Sequence, residues 1–260
     1  MNDYPIDTHC HLHFHQYDAD RGNLIENTFA RGMPWLINVC TELKDIVLVK
    51  ELFHKDNRIL PTIGVHPHYV SGLSETDWQK IREELFAKQS PFIAVGEVGL
   101  DLFRNLSPLD DQIKAFERFL DMASDKGLPV IVHSRDADEE LLEVLDVFDS
   151  GRVKFVVHCF SGDKDFAKHI LDRGGYISFT GNITYKKSDS IREAARYAPI
   201  ERIMLETDAP YLAPQRIRGK RNEPLNVMDV AQALAKEKGI SLEKLISQSN
   251  KTAEEFFVIG

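Results

Sequence analysis

Eight short apolar runs, rich in Val, Ile and Phe, recur along the chain with amphipathic helical patterns between them. This alternation is typical of βα units and of a parallel sheet. The predicted strands are residues 6–12, 35–41, 59–66, 92–100, 129–135, 154–160, 176–180 and 203–208. They follow one another at intervals of roughly 20 to 37 residues, which is enough for a strand, a helix and two loops.

The helix after the fourth strand has the clearest predicted boundaries. Ser107 is a candidate N-cap, Pro108 suits the first helical position, and Gly127 is expected to end the helix. A last helix, over about residues 241–258, is expected to close the structure against the first strand.

Eight strand–helix units could form a closed (β/α)₈ TIM barrel or a doubly wound open sheet. Ionisable residues at or near the ends of strands one, four, five, six and eight decide between these folds. An open sheet need not bring side chains from such distant strands together, whereas a barrel gathers all of them at one mouth. We therefore predict an α/β protein with a single barrel domain over residues 1–260.

Composition limits the class of protein further. The formal net charge of −9 opposes extensive electrostatic binding of nucleic acid, although it leaves room for a local phosphate site. The three cysteines form no C-x-x-C pair and are a poor basis for disulfides. The sequence has neither a signal-peptide pattern nor a long apolar run, so a cytoplasmic protein without a membrane anchor is expected.

The first strand carries an H-x-H motif. His9 and His11 share one strand face because side chains alternate with a period of two, and two imidazoles on an inward face can chelate a divalent cation. Asp7 lies one step deeper on that face, where its carboxylate could orient a ligand. Alone, this motif is equally compatible with ordinary polar residues at a strand end.

Three further residues interrupt or end apolar strands. Glu97 lies within the fourth strand, where an unpaired carboxylate would cost several kcal/mol and a metal would remove that cost. His133 and His158 each end an apolar run, in the fifth and sixth strands. Together with the H-x-H motif, they predict a metal site rather than isolated core histidines.

The eighth strand ends in Asp208, which is well placed to bind metal and to accept a proton from an attacking water. Glu206 shares its face one layer down, and we predict an orienting role for it rather than direct ligation. Glu97 and Asp208 are thus the predicted catalytic residues.

Imidazole and carboxylate ligands without thiolates suit Mg²⁺, Zn²⁺, Mn²⁺ or Fe²⁺. A single open catalytic zinc needs only three protein ligands, so a larger set favours two divalent metal ions with Glu97 as the bridge. The predicted ligands are His9, His11, Glu97, His133, His158 and Asp208.

Two residues are candidates for contact with substrate. His66 ends the third strand beside the predicted metal mouth, although a His before a Pro is equally compatible with a structural turn. Arg221 follows the eighth strand in a loop expected to cross the mouth, where its guanidinium could bind a phosphate; the alternative is an exposed basic loop.

Taken together, these motifs resemble the TatD family of metal-dependent hydrolases, within the amidohydrolase-like barrels. The resemblance covers essentially the whole chain. It rests on the segments IDTHCHL at 6–12, GVHPH at 64–68, AVGEVGLD at 94–101, PVIVHSR at 129–135, HCFSG at 158–162, LETDAPYL at 205–212 and RGKRNEP at 218–224. It implies a barrel with two divalent ions, with the six predicted ligands on the family's ligand positions.

The resemblance also implies an activity. Family members are described as DNases, several with Mg²⁺-dependent 3′ to 5′ exonuclease activity, and related proteins remove D-amino acids from tRNA. We therefore expect phosphodiester hydrolysis by a metal-activated water, acting on single-stranded DNA ends, in a monomeric protein. The alternatives are a metal-dependent ester or amide hydrolase, such as a D-aminoacyl-tRNA deacylase, and a non-enzymatic metal-binding protein. The last is disfavoured because structural metal sites are normally closed by four ligands.

Overall fold

The strands of the computed structural model, which describes residues 4–148 and 150–260, match the eight predicted strands. They are β1 (Asp7–Cys10), β2 (Leu36–Asn38), β3 (Ile59–Pro61), β4 (Val95–Asp101), β5 (Val130–Arg135), β6 (Phe155–Val157), β7 (Tyr176–Phe179) and β8 (Ile203–Leu205). All are shorter than predicted. β1, β6 and β8 end before His11, His158 and Asp208, whereas β4 and β5 include Glu97 and His133.

All neighbouring strands pair in parallel, in the orders β1-β2-β3 and β4-β5-β6-β7-β8. Isolated bridges from Ile63 to Val95 and from Cys10 to Ala209 join these two groups on both sides. The second junction continues along the chain, because Asp208 N donates to the carbonyl oxygen of His9 at 2.8 Å. The ring is therefore closed, and the barrel prediction is confirmed over the open-sheet alternative.

Helices surround the ring. They are α1 (Arg21–Ala30), α2 (Asp45–Lys55), α3 (Glu75–Phe86), α4 (Leu109–Lys126), α5 (Asp138–Phe148), α6 (Lys164–Asp172), α7 (Asp189–Tyr197), α8 (Val227–Lys238) and α9 (Leu242–Phe257), with short 3-10 turns between elements. In the described part of the chain, no helix is long and apolar enough to cross a membrane.

The boundaries of α4 differ slightly from the prediction. Pro108 is the N-cap residue rather than the first helical residue, and the Ser107 hydroxyl donates to Ser71 Oγ at 3.3 Å instead of capping the helix. Gly127 ends the helix as expected, with a φ of 72° that favours glycine.

The amino-terminal end of the barrel is sealed by apolar side chains. Inward-facing residues at the starts and middles of the strands form one buried cluster with the last helix: Ile6, Ile37, Val39, Leu60, Ala94, Ile131, Val156, Met204, Ala253, Phe256 and Phe257. The Asn250 side chain fastens α9 to the first strand, accepting from Ile6 N at 2.8 Å and donating to the carbonyl of Tyr4 at 3.0 Å. The opposite end, where the strands finish, is open and polar.

Candidate metal centre

One side of the open mouth is formed by the junction of β1 and β8. The Nε2 atoms of His9 and His11 lie 3.3 Å apart. Asp208 Oδ1 lies 3.3 Å from His11 Nε2 and 3.8 Å from His9 Nε2. Asp208 reaches them from a left-handed backbone turn with a φ of 54°, which Asp tolerates better than most residues. These three side chains form the first half of the site.

The second half lies across the barrel, at the ends of β5 and β6. His133 Nδ1 and His158 Nε2 are 3.3 Å apart. The Oε1 atom of Glu97 lies 2.9 Å from the first nitrogen and 2.8 Å from the second. Two imidazole nitrogens thus converge on one carboxylate oxygen.

Glu97 connects the two halves. Its Oε1 faces His133 and His158, whereas its Oε2 lies 3.3 Å from His9 Nε2 and 3.8 Å from His11 Nε2. Each oxygen of the same carboxylate therefore belongs to a different imidazole pair. The six side chains predicted to bind metal are brought together around this carboxylate.

Glycines allow β4 to approach β5 closely enough for this geometry. A Cβ on Gly99 would lie 2.1 Å from the carbonyl oxygen of His133, and one on Gly96 would lie 2.6 Å from Ile131 Cβ. Both residues have positive φ values, 136° and 157°, so any side chain there would add backbone strain to the overlap. The glycines on either side of Glu97 thus set the spacing between the carboxylate and His133.

Neighbouring acceptors determine which nitrogen of each histidine carries the proton. His11 Nδ1 lies 2.8 Å from the Val39 carbonyl, and His133 Nε2 lies 3.1 Å from Asp101 Oδ2. We assign the proton to these nitrogens, because only a protonated nitrogen can donate to them. The other nitrogens then present their lone pairs to the site, His11 Nε2 beside Asp208 and His133 Nδ1 beside Glu97, as metal ligands must.

Burial and neighbouring charges act in opposite directions on the ionisation of the centre. Burial alone would raise the pKa of Glu97, but the adjacent imidazoles of His158, His66 and His133 outweigh it and hold the pKa well below its usual range. Burial and the charge of His158 lower the pKa of His9, which favours a neutral ring. Burial would also lower the pKa values of His11, His133 and His158, but the neighbouring carboxylates outweigh it and raise them, so a cation would have to displace protons from these rings.

The donor set fits divalent metal ions. Buried imidazole nitrogens and carboxylate oxygens point at common centres, and two of the possible ligand groups are His9, His11 and Asp208, and His66, Glu97 and His133. His9 Nε2 and His11 Nε2 face each other with carboxylate oxygens of Glu97 and Asp208 beside them, and a cation between these groups would be bound by both imidazoles and would offset both negative charges. The absence of thiolates suits Mg²⁺, Mn²⁺ or Zn²⁺.

Two carboxylates predicted to orient ligands lie below the centre. Glu206 accepts from Cys159 N at 2.6 Å and from Ser178 Oγ at 2.6 Å, and its Oε1 lies 3.5 Å from His158 Nδ1. Within the described part of the chain, Asp7 pairs with no imidazole; it accepts from the hydroxyl and backbone N of Thr207, at 2.6 and 2.9 Å, and from the backbone N of His9 at 3.3 Å. Asp7 thus holds the chain immediately before Asp208, and burial raises its pKa to about 8.

His66 lies beside the centre but turns a protonated nitrogen towards it. Its Nδ1 accepts from the backbone N of His68 at 3.1 Å, so we assign the proton to Nε2, which lies 3.5 Å from Glu97 Oε1. Burial, followed by the charge of His133, holds the pKa of His66 well below its usual range. In this form the neutral ring donates a hydrogen bond at the mouth, and it could join the ligand group with Glu97 and His133 only after Nε2 had lost its proton.

Arg221 does not lie where the sequence predicts it. Its guanidinium donates to both oxygens of Asp20, at 2.7 and 2.6 Å, and to Glu223 Oε1 at 3.0 Å. It also stacks over the Tyr17 ring, 4.7 Å from the ring centre. The side chain is outside the cavity lining. The structure thus places Arg221 in an ion pair that joins the loop after β8 to the start of α1, and its contact with a phosphate stays a prediction.

The mouth contains polar residues that sequence reasoning missed. Asp101 Oδ2 lies 3.1 Å from His133 Nε2 and 3.0 Å from His68 Nε2. Asp101 follows the same signal that identified Asp208, a carboxylate at the end of an apolar strand. Arg104 and Arg135 also line the cavity, and an exposed arginine gives no such signal in the sequence.

These residues line a cavity of about 590 Å³ over the barrel mouth. Its floor holds Glu97, His133, His158 and Asp208, and its rim holds aromatic and basic side chains. A parallel barrel whose strand ends converge in this way defines a metal-dependent hydrolase.

Comparison with known proteins agrees with this class. The family model described as TatD related DNase matches residues 6–258. The metal-dependent hydrolase YabD of Bacillus subtilis is 33% identical over 255 residues, covering 98% of this chain and 99% of that protein. The 3′-5′ ssDNA/RNA exonuclease TatD of Escherichia fergusonii is 31% identical over 253 residues, covering 94% and 95%.

A solved structure agrees as well. YJJV, a TatD homologue from Escherichia coli K12, superimposes with a TM-score of 0.94 over the whole of both chains, at 27% identity. The chain therefore belongs to the TatD family and is a metal-dependent hydrolase. The family resemblance read from the sequence motifs is confirmed.

Proposed function

We propose that this protein is a deoxyribonuclease that removes nucleotides from the 3′ end of single-stranded DNA, using water activated at two divalent metal ions. The observation that carries the proposal is the position of Glu97, whose two oxygens face two separate imidazole pairs. A relative named as a 3′-5′ ssDNA/RNA exonuclease, 31% identical to this chain, supports the substrate.

Two ions, of Mg²⁺, Mn²⁺ or Zn²⁺, would share the six ligands. His9, His11 and Asp208 would hold one, His133 and His158 the other, and Glu97 would bridge them. When bound, such ions lower the pKa of water and neutralise charge on the attacking and leaving oxygens of a phosphodiester.

Three side chains would transfer the proton and orient the substrate and the metal ligands. Asp208 lines the cavity with its side chain 14% exposed, so its carboxylate is available to take the proton from the attacking water. His66 presents Nε2–H to the same space, where it can donate to a phosphoryl oxygen. Glu206 Oε1, 3.5 Å from His158 Nδ1, would favour the proton on that nitrogen and so leave His158 Nε2 free to bind metal.

The rim of the cavity suits unpaired bases. Tyr69 and Tyr211 are 46% and 50% exposed, and Phe14 lines the same cavity next to Tyr211. Bases of a single strand stack on such rings with little preference for sequence, whereas a duplex buries its base faces. An acidic protein whose nucleic acid contacts are confined to one mouth is expected to act on strand ends.

Hydrolysis of an ester, such as the bond of a D-aminoacyl-tRNA, is the second candidate function. The same donor set would activate water for attack on a carbonyl carbon. A non-enzymatic metal-binding role is disfavoured because the site opens into a cavity rather than being closed by protein.

Substrate assays on metal-reconstituted protein test the proposal. We expect 5′-labelled single-stranded DNA to be shortened stepwise from its 3′ end, faster than duplex DNA, and the Glu97→Gln variant to be inactive. Cleavage of an aminoacyl ester without cleavage of DNA would replace the nuclease assignment by the deacylase one. The single-domain organisation, the monomeric state and the cytoplasmic location stay predictions.

A further inference from the structure

Two arginines on the rim of the cavity have no acidic partner. Arg104 and Arg135 are exposed and line the cavity. Among residues 4–148 and 150–260, neither guanidinium has a hydrogen bond or an ion pair. Arg173 and Arg216, by contrast, are paired with both oxygens of a carboxylate. In a chain with a net charge of −9, free guanidinium groups at the mouth make a local positive site.

The contacts that position the two arginines leave their guanidinium N–H groups free. The backbone N of Arg104 donates to Asp101 Oδ1 at 2.7 Å, which fixes the loop that follows β4. The guanidinium carbon of Arg135 lies 3.7 Å from the centre of the Phe103 ring, and Phe103 itself is 55% exposed. Stacking uses the face of a guanidinium and leaves its N–H groups free to bind a carboxylate or phosphate.

Their position relates them to the metal centre. Asp101 and Arg135 are partners in the β4–β5 register, and the second oxygen of Asp101 contacts His133. Arg135 follows His133 by two residues, which places its Cα about 7 Å further out along the strand. A phosphate bound by the two guanidinium groups would therefore lie further out along the strands than a phosphodiester bound at the proposed metal centre around Glu97.

We propose that Arg104 and Arg135 form an anion subsite that binds the phosphate next to the cleaved phosphodiester of a single-stranded nucleic acid. This inference rests on the proposed nuclease function and assigns its substrate-positioning residues. The subsite would bind phosphate in the way predicted from the sequence for Arg221, whose guanidinium is paired with Asp20 and Glu223.

The opposite rim fits the rest of a nucleotide. Phe14 and Tyr211 come from the loops after β1 and β8, across the barrel from β4 and β5, and their ring centres lie 6.1 Å apart. A strand crossing the mouth would place a base against these rings and the next phosphate against the guanidinium groups. The separation of aromatic and basic side chains across the mouth thus matches the alternation of base and phosphate in a single strand.

Cleavage of very short substrates tests the subsite. The dinucleotide TpT has one phosphodiester, and the trinucleotide TpTpT adds the neighbouring one. We expect the wild type to cleave TpTpT with a kcat/KM about tenfold above that for TpT, and an Arg104→Gln/Arg135→Gln variant to lose this gain while cleaving TpT normally. The change should be in KM rather than kcat, because the arginines bind a phosphate that does not react.

The matched control is Arg82→Gln. Arg82 also stacks on a phenylalanine, the partly buried Phe86, with its guanidinium carbon 4.6 Å from the ring centre, but it lies outside the lining of the cavity at the barrel mouth. This variant should behave as the wild type. Retention of the trinucleotide gain in the double variant would overturn the subsite, and so would an equal loss on TpT, which would show contact with the cleaved phosphate itself.

Binding without turnover separates this inference from the proposed function. A chelator prevents turnover while the affinity for a fluorescent oligothymidylate is measured at several salt concentrations. The double variant should bind more weakly, and the slope of log affinity against log salt should fall by about 0.7 for each lost phosphate contact. If DNA is bound in this way but never cleaved, the nuclease function fails and the subsite stands. Unchanged binding and salt slope would refute the subsite.

Discussion

The two ends of the barrel differ in chemistry although the same strands form both. At the amino-terminal end, side chains such as Ile6, Ile131 and Met204 pack against α9 and are almost wholly buried. At the carboxyl-terminal end, a few residues further along these strands, His9, His133 and Asp208 surround an open cavity. The sealed end stabilises the fold, and the open end can therefore hold charged groups that contribute little to folding.

The largest expected effect is at the open end. Asp208→Asn should lower the rate of phosphodiester hydrolysis by about 10³-fold, because the amide cannot take a proton from water. The melting temperature should change little. The measurement is kcat on labelled single-stranded DNA together with a thermal melt.

The matched control for this variant is Asp136→Asn. Asp136 has a similar left-handed backbone, with a φ of 52°, and lies outside the cavity lining. It should retain wild-type activity. Near-normal turnover in Asp208→Asn would remove Asp208 from the proton-transfer role.

The reverse pattern is expected at the sealed end. Phe256 is fully buried in the cluster that closes the barrel, so Phe256→Ala should lower the free energy of unfolding by about 3–5 kcal/mol. The protein that remains folded should keep its kcat. Chemical denaturation measures the first quantity, and activity per folded molecule the second.

Val147→Ala provides the comparison, because Val147 is 81% exposed on α5 and should change neither quantity. A large loss of kcat in folded Phe256→Ala protein would show that the two ends are coupled, against the division of roles described above.

A smaller effect is expected for Asp101→Asn. The asparagine amide can donate to His133 Nε2 and would then favour the proton on Nδ1, the nitrogen that faces Glu97. Metal affinity should fall by roughly 10- to 100-fold, as is usual for carboxylates that orient a metal-binding histidine. Titration with Mn²⁺ measures the loss.

The control for Asp101→Asn is Asp138→Asn, at a partly buried carboxylate that bonds Ser134 and lies outside the cavity lining. Unchanged Mn²⁺ affinity in Asp101→Asn would contradict an orienting role for Asp101, whatever its effect on stability.

The smallest effect is expected for Arg221→Gln. Since its guanidinium is paired with Asp20 and Glu223 away from the cavity, kcat/KM should change by less than about twofold, as for other substitutions away from functional features. A strong loss of nucleic acid affinity would restore Arg221 as a substrate contact and contradict the observed ion pair.

The strands and the central carboxylate were predictable because both depend on local pattern. Apolar runs give the strands, and Glu97 interrupts one of them. Closure of the barrel could be argued only indirectly, from the need to bring the ligands together. The pairing of Arg221 with Asp20 could not be predicted, because the two residues are 201 positions apart in the chain. His68, which reaches Asp101 from the loop after β3, was missed for the same reason.

Counting bound ions tests the central claim most directly. Glu97 is proposed to join two ion sites, so calorimetric titration of metal-free wild-type protein with Mn²⁺ should give two ions per chain. Glu97→Gln should bind more weakly at both sites, and its fold should be retained. Two ions bound with unchanged affinity in Glu97→Gln, or no ion bound by the wild type, would contradict a metal centre built around this carboxylate.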